Sequence, residues 1–479
     1  METMKTTSSA PGQEHPGRSP APEGMRRTLV LLVMCVGMFL VQLDVTVVNV
    51  ALPSIGHDLG GGLSGLQWVV DAYSVALAAF LLAGGALGDR LGHRRVVVVG
   101  LGLFGLASLL CALAPAAGAL IGARALQGVG AALLLPGTLA VVQRTFPDRA
   151  EQARALGIWA GVSALALPAG PLLGGFLVTA TGWRAVFWLN VPLVAVAALV
   201  TLRLVPGGGG TPEHRMDLPG AALAAAALGS IVYCAVAAGG GASAMTVAVA
   251  ALLSVALLAG FIWRERVAAA PMVPLELFRR RAFSGANTVA AAMNFTGIGA
   301  VFVVTLYLQG VQHRSAFQAG LMMLPLFVPL AAGAPLTGRL VARFGPRPPM
   351  LAGLLLGVAG ALSLLAVTPG SGYLVLVPVL VGLGAGMGLL TAAVVAAALR
   401  AGPDDRPGLS SGVNNTARQA AGALGIAVLG SLVGDPAASG SFLTGLHRVG
   451  LLCALLWAAA ALLTVVTIPR QGVEEASAH

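Results

Sequence analysis

GALGDRLGHRR (residues 85–95) returns 253 residues later as GRLVARFGPRP (residues 338–348). Gly85, Leu87, Arg90, Gly92 and Arg94 recur as Gly338, Leu340, Arg343, Gly345 and Arg347. In both places the stretch joins one long apolar segment to the next. A short basic loop repeated at equivalent places means a duplicated unit, a common construction of polytopic membrane proteins.

The rest of the chain agrees. Of 479 residues, 57% are hydrophobic and 10% charged, against about 25% charged in an ordinary soluble protein. Apolar runs long enough to cross about 30 Å of hydrocarbon recur along the whole length. They predict helices over 28–50, 67–88, 95–114, 118–143, 152–180 and 184–204, then over 218–237 and 244–264. Six more follow over 283–309, 317–341, 349–368, 373–399, 408–433 and 446–468. The expected fold is an all-α polytopic membrane protein with fourteen transmembrane helices. Two pseudo-symmetric six-helix bundles (28–205 and 283–469) flank linkers and an inserted helix pair (206–282). Residues 1–27, rich in Pro, Gly and Ser, read as a disordered tail, and 470–479 as a second tail. Arg26-Arg27 before an apolar run mimics a signal peptide. The run is longer than such a core and lacks a small-residue cleavage site, so it reads as an uncleaved first helix.

The net charge of +10 is a matter of topology. Of 28 basic residues, only Arg184, Arg314 and Arg448 fall in loops on one side, while Arg124 and Arg418 fall inside helices. All others gather in the tails and even-numbered loops, which places both termini in the cytoplasm and speaks against nucleic acid as a partner. Lys5 is the sole lysine, so no Walker A loop exists to grip ATP. That usage, in an Ala- and Gly-rich chain, points to a GC-rich bacterial genome and hence a bacterial plasma membrane. Cys35, Cys111, Cys234 and Cys453 are scattered, and all seven histidines lie in loops or tails. Neither a disulfide framework, a metal site nor an H-E-x-x-H motif follows. No cofactor and no enzymatic activity are expected.

Charges inside the apolar segments carry the functional signal, because an intramembrane ion is costly and usually has work to do. Asp44, in QLDVTVVNVALP (residues 42–53), sits ~9 Å from the outer end of its helix if that end is Val50. Arg124 lies at ~9 Å and Asp71 at ~6 Å by the same count. In low dielectric a carboxylate either takes a proton or pairs with a cation. Asp44 therefore reads as a proton carrier tuned by Arg124, or as half of a permanent pair that fixes helix packing. Asp71, beside Trp68, reads as a second carrier or as a group facing headgroup water. Asn49 suits a substrate contact or an interhelical hydrogen bond. Arg418 lies ~15 Å deep, held by Asn414 or Asn415 or meeting an anionic or carbonyl-bearing substrate. Polar or aromatic candidates for a central cavity are Trp159, Asn287, Asn294, Phe295, Tyr307 and Gln318.

Four motifs together resemble the major facilitator superfamily, in its fourteen-helix drug:proton antiporter branch. GALGDRLGHRR is similar to the loop signature G-x-L-x-D-R-x-G-[RK]-[RK]-[RK], with His93 at a position that is usually basic. ALIGARALQGVGAALLLP (119–136) resembles the fourth-helix signature, built around an Arg and Q-G-x-G. ALPAGPLLGG (166–175) resembles the fifth-helix signature G-x-x-x-G-P-x-x-G-G, with Ala166 for its first Gly. LDVTVVNVALP resembles the first-helix signature. The resemblance covers everything beyond the N-terminal tail.

It implies a secondary exporter driven by the proton motive force, with the lipid bilayer, protons and a small amphipathic substrate as partners. A transporter of one specific metabolite, or a membrane-embedded sensor, is the alternative. Gly85, Asp89, Arg90, Gly92 and Arg94 would form a conformational gate, with Asp89 at a neighbouring helix N-terminus and Arg94 on Asp148 or Glu151. The plainer alternative is a loop that only sets topology. Ala342 replaces the Asp in the second copy, so the latch is expected in the first half. Pro168 and Pro171 remove backbone donors, while Gly170, Gly174 and Gly175 permit close helix approach. The resemblance makes that seam a seal against leak.

Overall fold

A computed structural model of the protein describes residues 23–469 apart from 61, 208–216, 240, 269–270, 369, 404–406, 435 and 437–438. Most of the N-terminal tail, the Gly-rich linker, Asp404-Asp405 and the C-terminal tail therefore lie outside the described residues. The described residues are helical, with no strand among them. The first half holds α1 (Glu23–Leu59), α2 (Gly62–Leu91), α3 (His93–Ala112), α4 (Ala117–Thr145), α5 (Arg149–Thr181) and α6 (Arg184–Leu204). Then come α7 (Leu218–Gly239) and α8 (Ala244–Val267). The second half holds α9 (Arg281–Leu306), α10 (Ala316–Met322), α11 (Leu324–Phe344), α12 (Arg347–Ser363), α13 (Val377–Ala401), α14 (Pro407–Val433) and α15 (Ser439–Thr467).

Thirteen of these helices are long and apolar enough to cross a membrane, or fourteen if α10 and α11 form one bent span. That span, expected as one helix over 317–341, breaks by 44°. Pro325 at the start of α11 has no N–H to continue the ladder of α10. Gln318, expected in a cavity, instead completes a capping box with Ser315 at the start of α10. Helix α1 also departs from expectation. It begins before residue 28, so Glu23–Arg27 is helical, and it runs through Pro53 to Leu59. Ala51, Leu52 and Ile55 are buried, and that packing outweighs the one backbone bond Pro53 removes.

Helices α1–α6 pack among themselves, as do α9 and α11–α15. The halves meet along two seams, α2 against α14 and α5 against α10. The 253-residue shift carries α2 onto α10–α11 and α5 onto α14, so the two seams are pseudo-symmetry mates. Helix α7 packs on both α2 and α14, and α8 packs on α7. Most of α8 faces outward, with Met245, Leu252 and Val255 exposed. In both copies of the repeated loop a glycine turns the chain: Gly92 has φ +90° and Gly345 φ +75°. Only glycine adopts that backbone without strain, which accounts for its recurrence.

Candidate functional site

Asp44 lies in the middle of the first bundle and not near a helix end. With α1 reaching Leu59, it is ~22 Å from that end, deeper than the sequence count suggested. It forms an ion pair with Arg124 of α4, and both side chains are fully buried. Gln127, one turn further along α4, donates to Asp44 Oδ1 at 3.0 Å and to Ser108 Oγ of α3 at 2.9 Å. Its own Oε1 accepts from Arg124 at 2.6 Å. Asn190 of α6 donates to Ser108 at 3.3 Å, and Arg124 Nε donates to the Val69 carbonyl of α2 at 3.0 Å. The guanidinium also sits over the Tyr73 ring, 4.4 Å from its centroid. Five helices thus converge on one carboxylate.

Gln127, Ser108 and Asn190 were not singled out from sequence. Gln127 stands three residues after Arg124 inside a quoted motif, and that spacing puts both on one helix face.

Asp71 does not join this network, nor does it face headgroup water. It is 0% exposed, and neither carboxylate oxygen has a hydrogen-bond partner among the described residues. Gln67, one turn earlier, donates across the seam to the Ile426 and Ala427 carbonyls of α14 at 3.2 and 3.1 Å. Val75, one turn later, packs with Val232 and Val236 of α7. Asp71 lies on that same face of α2, in the seam between the halves.

Beside the network a cavity of about 2030 Å³ runs between the halves. Asn49, Trp159, Asn294 and Arg418 line it. Arg418 Nε donates to Asn294 Oδ1 at 3.3 Å, and the Trp159 indole N–H is unpartnered. Tyr307 is not a cavity residue. It is 1% exposed, stacks on Phe442 and accepts from Gln312 at 3.2 Å. Asn287 is buried and accepts from Asn414, and Phe295 packs against the core. The cavity reaches the face that carries the N-termini of α1 and α3, the basic face, where Asp89, His93 and Gln143 line it.

The mouth is also bordered by Pro271, Met272 and Asp217, from the segments flanking the inserted pair. Asp217 pairs with Arg264 at 2.8 Å and accepts from the Gly220 N–H at 3.0 Å. Burial pushes its carboxyl up, but these two donors outweigh it and hold the group below the usual carboxylate range.

At the opposite face the halves are closed against each other. Gln309 donates to the Val50 carbonyl at 3.0 Å, and Gln67 closes the α2–α14 seam. The α5–α10 seam depends on missing side chains. A Cβ at Gly175 would strike the backbone of Ala316 and Phe317, and one at Gly320 the Pro171 carbonyl. Gly170 and Gly174 press in the same way on Thr46 and Val47 of α1, and α5 continues through Pro168 and Pro171.

Of the expected gate residues, Arg94 has a different partner from the one expected. Gly85 and Asp89 line the cavity, and Arg90 is exposed. Asp89 meets His93, four residues on at the start of α3, at 3.2 Å. Arg94 reaches the Leu202 carbonyl at the end of α6, while Glu151 takes Arg27 at 3.4 Å. The negative end of the α6 dipole draws Arg94 in place of Asp148 or Glu151.

Comparison with known proteins fits this geometry. The profile of the Major Facilitator Superfamily matches residues 34–426. The chain is 37% identical over 414 residues to "Multidrug resistance protein Stp" of Mycobacterium tuberculosis, covering 85% of this chain and 76% of that one. It is 36% identical to "Tetracenomycin C resistance and export protein" of Streptomyces glaucescens, covering 94% of this chain and 80% of that one. Among solved structures it superposes on a bacterial homologue of the lysosomal transporter Spinster. The TM-score there is 0.65 at 17% identity, covering 94% of this chain and 98% of the other.

Proposed function

The chain belongs to the major facilitator superfamily, and from that premise we propose that it exports amphipathic drugs, antibiotics or related metabolites in exchange for protons. The observation that carries this is the cavity of about 2030 Å³ between the halves, open at the basic face and closed at the other. With α10 and α11 counted as one span, fourteen crossings and positive-inside logic put that face and both termini in the cytoplasm. The membrane is the bacterial plasma membrane, and the conformation is inward-facing.

In this state Asp44 is held by Arg124. Asp71, with no donor and no cation beside it, carries its proton, since a bare charge in that seam is untenable. Rocking the halves to open the other face separates Gln309 from Val50 and Gln67 from α14, and exposes the first bundle to protons from outside. Asp44 takes one up, lets go of Arg124, and returns it to the cytoplasm when the pair reforms. Alternating exposure of one central site is the general scheme for such repeats. Asn49, Trp159, Asn294 and Arg418 receive the substrate, whose apolar body rests on the cavity wall.

The test is proton movement in vesicles with an acid interior. A panel including puromycin and tetracenomycin C should collapse the gradient only when the protein is present. If none does, or if transport continues unchanged with a protonophore, exchange is the wrong scheme. Arg418 supplies a second prediction. Arg418→Gln should raise KM about tenfold for compounds bearing carboxylates or carbonyl groups, as expected for one charge-assisted hydrogen bond. A uniform loss for all compounds with a lower Tm would instead mark Arg418 as a strut for Asn294.

A further inference from the structure

A second cavity, of about 390 Å³, opens on the basic face at the outer flank of the first half. Four guanidinium groups line it, from Arg26, Arg27, Arg94 and Arg144, together with His93. Among the described residues, none of those lining it is acidic. Arg27 pairs with Glu151 at 3.4 Å and His93 with Asp89 at 3.2 Å, and neither carboxylate is among the lining residues.

The arginines are held there by the fold. Arg26 donates to the Leu204 carbonyl at 3.0 Å and Arg94 to the Leu202 carbonyl, both at the end of α6. Each keeps further N–H groups in hand, since a guanidinium carries five. Arg144, at the end of α4, is exposed and has no hydrogen bond or ion pair among the described residues. Helix α3 starts at the same place with no side chain capping its first N–H groups, which adds positive dipole. Val30 and Val141, both buried in the core of the first half, form an apolar floor.

Several like charges around one small space repel unless an anion sits among them. Planar guanidinium forks match phosphate oxygens two at a time. We propose that this cavity binds a phosphate group, either the headgroup of an anionic phospholipid or free phosphate. Its occupant joins the start of α1, the start of α3 and the end of α4 into one clamp, and shares Arg94 and His93 with the repeated loop beside the transport cavity.

The test uses purified full-length protein in detergent. It is titrated separately with short-chain phosphatidylglycerol, phosphatidylcholine and inorganic phosphate. Native mass spectrometry counts retained lipid, and Tm reports binding. Phosphatidylglycerol should be retained and raise Tm, phosphatidylcholine should do neither, and Arg144→Gln should weaken retention about tenfold. Arg343→Gln, in the second copy of the loop, should leave it unchanged. If inorganic phosphate alone raises Tm and Arg144→Gln removes that rise, the site takes free phosphate. The proposal falls if wild type prefers neither phosphatidylglycerol nor phosphate over phosphatidylcholine. It falls equally if Arg144→Gln and Arg343→Gln lose lipid alike, since that marks diffuse attraction to a basic surface.

Discussion

Asp44→Asn should abolish substrate-driven proton movement and lower stability by about 3–5 kcal/mol, the usual consequence of leaving half of a buried ion pair alone. The structural part follows from the network. Arg124 would keep the Val69 carbonyl, Gln127 and the Tyr73 ring, but no negative charge would face it in a space closed to water. A dead Asp44→Asn protein would therefore not by itself separate a proton carrier from a packing pair. The double variant Asp44→Asn/Arg124→Gln does. It removes both charges, so neither half of the pair is left as a lone buried ion. The double variant should recover most of the lost Tm while proton-coupled transport stays at background. Recovery of transport along with Tm would show that the pair is structural and direct the search for the carrier to Asp71.

The second large effect is expected at the closed seam. Gly320→Leu places a branched side chain where the Pro171 carbonyl now lies. Overpacking of this kind costs about 1–3 kcal/mol, and here only the inward-facing arrangement bears the cost. The equilibrium should shift toward the other arrangement by about tenfold or more, with transport falling to match. The reporter is a cysteine at Asn49, a cavity residue, in a background with Cys234 replaced. An impermeant maleimide added outside should label it faster in Gly320→Leu than in the parent. Unchanged transport, or lost transport with no change in outside labelling, would mean the seam does not limit the cycle.

Much of this architecture was legible because it rests on local chemistry. The repeated loop needs a glycine with positive φ in both copies, and that need is visible as Gly92 and Gly345. Asp44 and Arg124 stood out because two opposite charges inside hydrocarbon have few other partners, but the depth count that placed them together also admitted Asp71, which the structure keeps apart. What stayed hidden depends on the direction a helix face takes in the assembled bundle. Asp71 seemed to lie near the interface because nothing local says that Gln67 and Val75, a turn away on either side, meet α14 and α7. Tyr307 has the chemistry of a cavity residue, but Phe442, 135 residues later in the chain, covers it. Helix α1 runs past its expected end at Val50 because burial of Leu52 and Ile55 overrides the helix breaker Pro53.

The placement of α7 makes the two seams mechanically unequal. Along α2–α14, Tyr233 of α7 leans on Trp68 of the first half, with ring centroids 6.5 Å apart, and Ser431 of the second half donates to the Ala235 carbonyl at 3.3 Å. One rod is thus fastened to both jaws along one edge only, as the spine of a book holds two covers. Such a fastening predicts a wider swing at the fore-edge, α5 against α10, than at the bound side where Asp71 lies. Two six-helix halves without the added pair would lack this one-sided fastening.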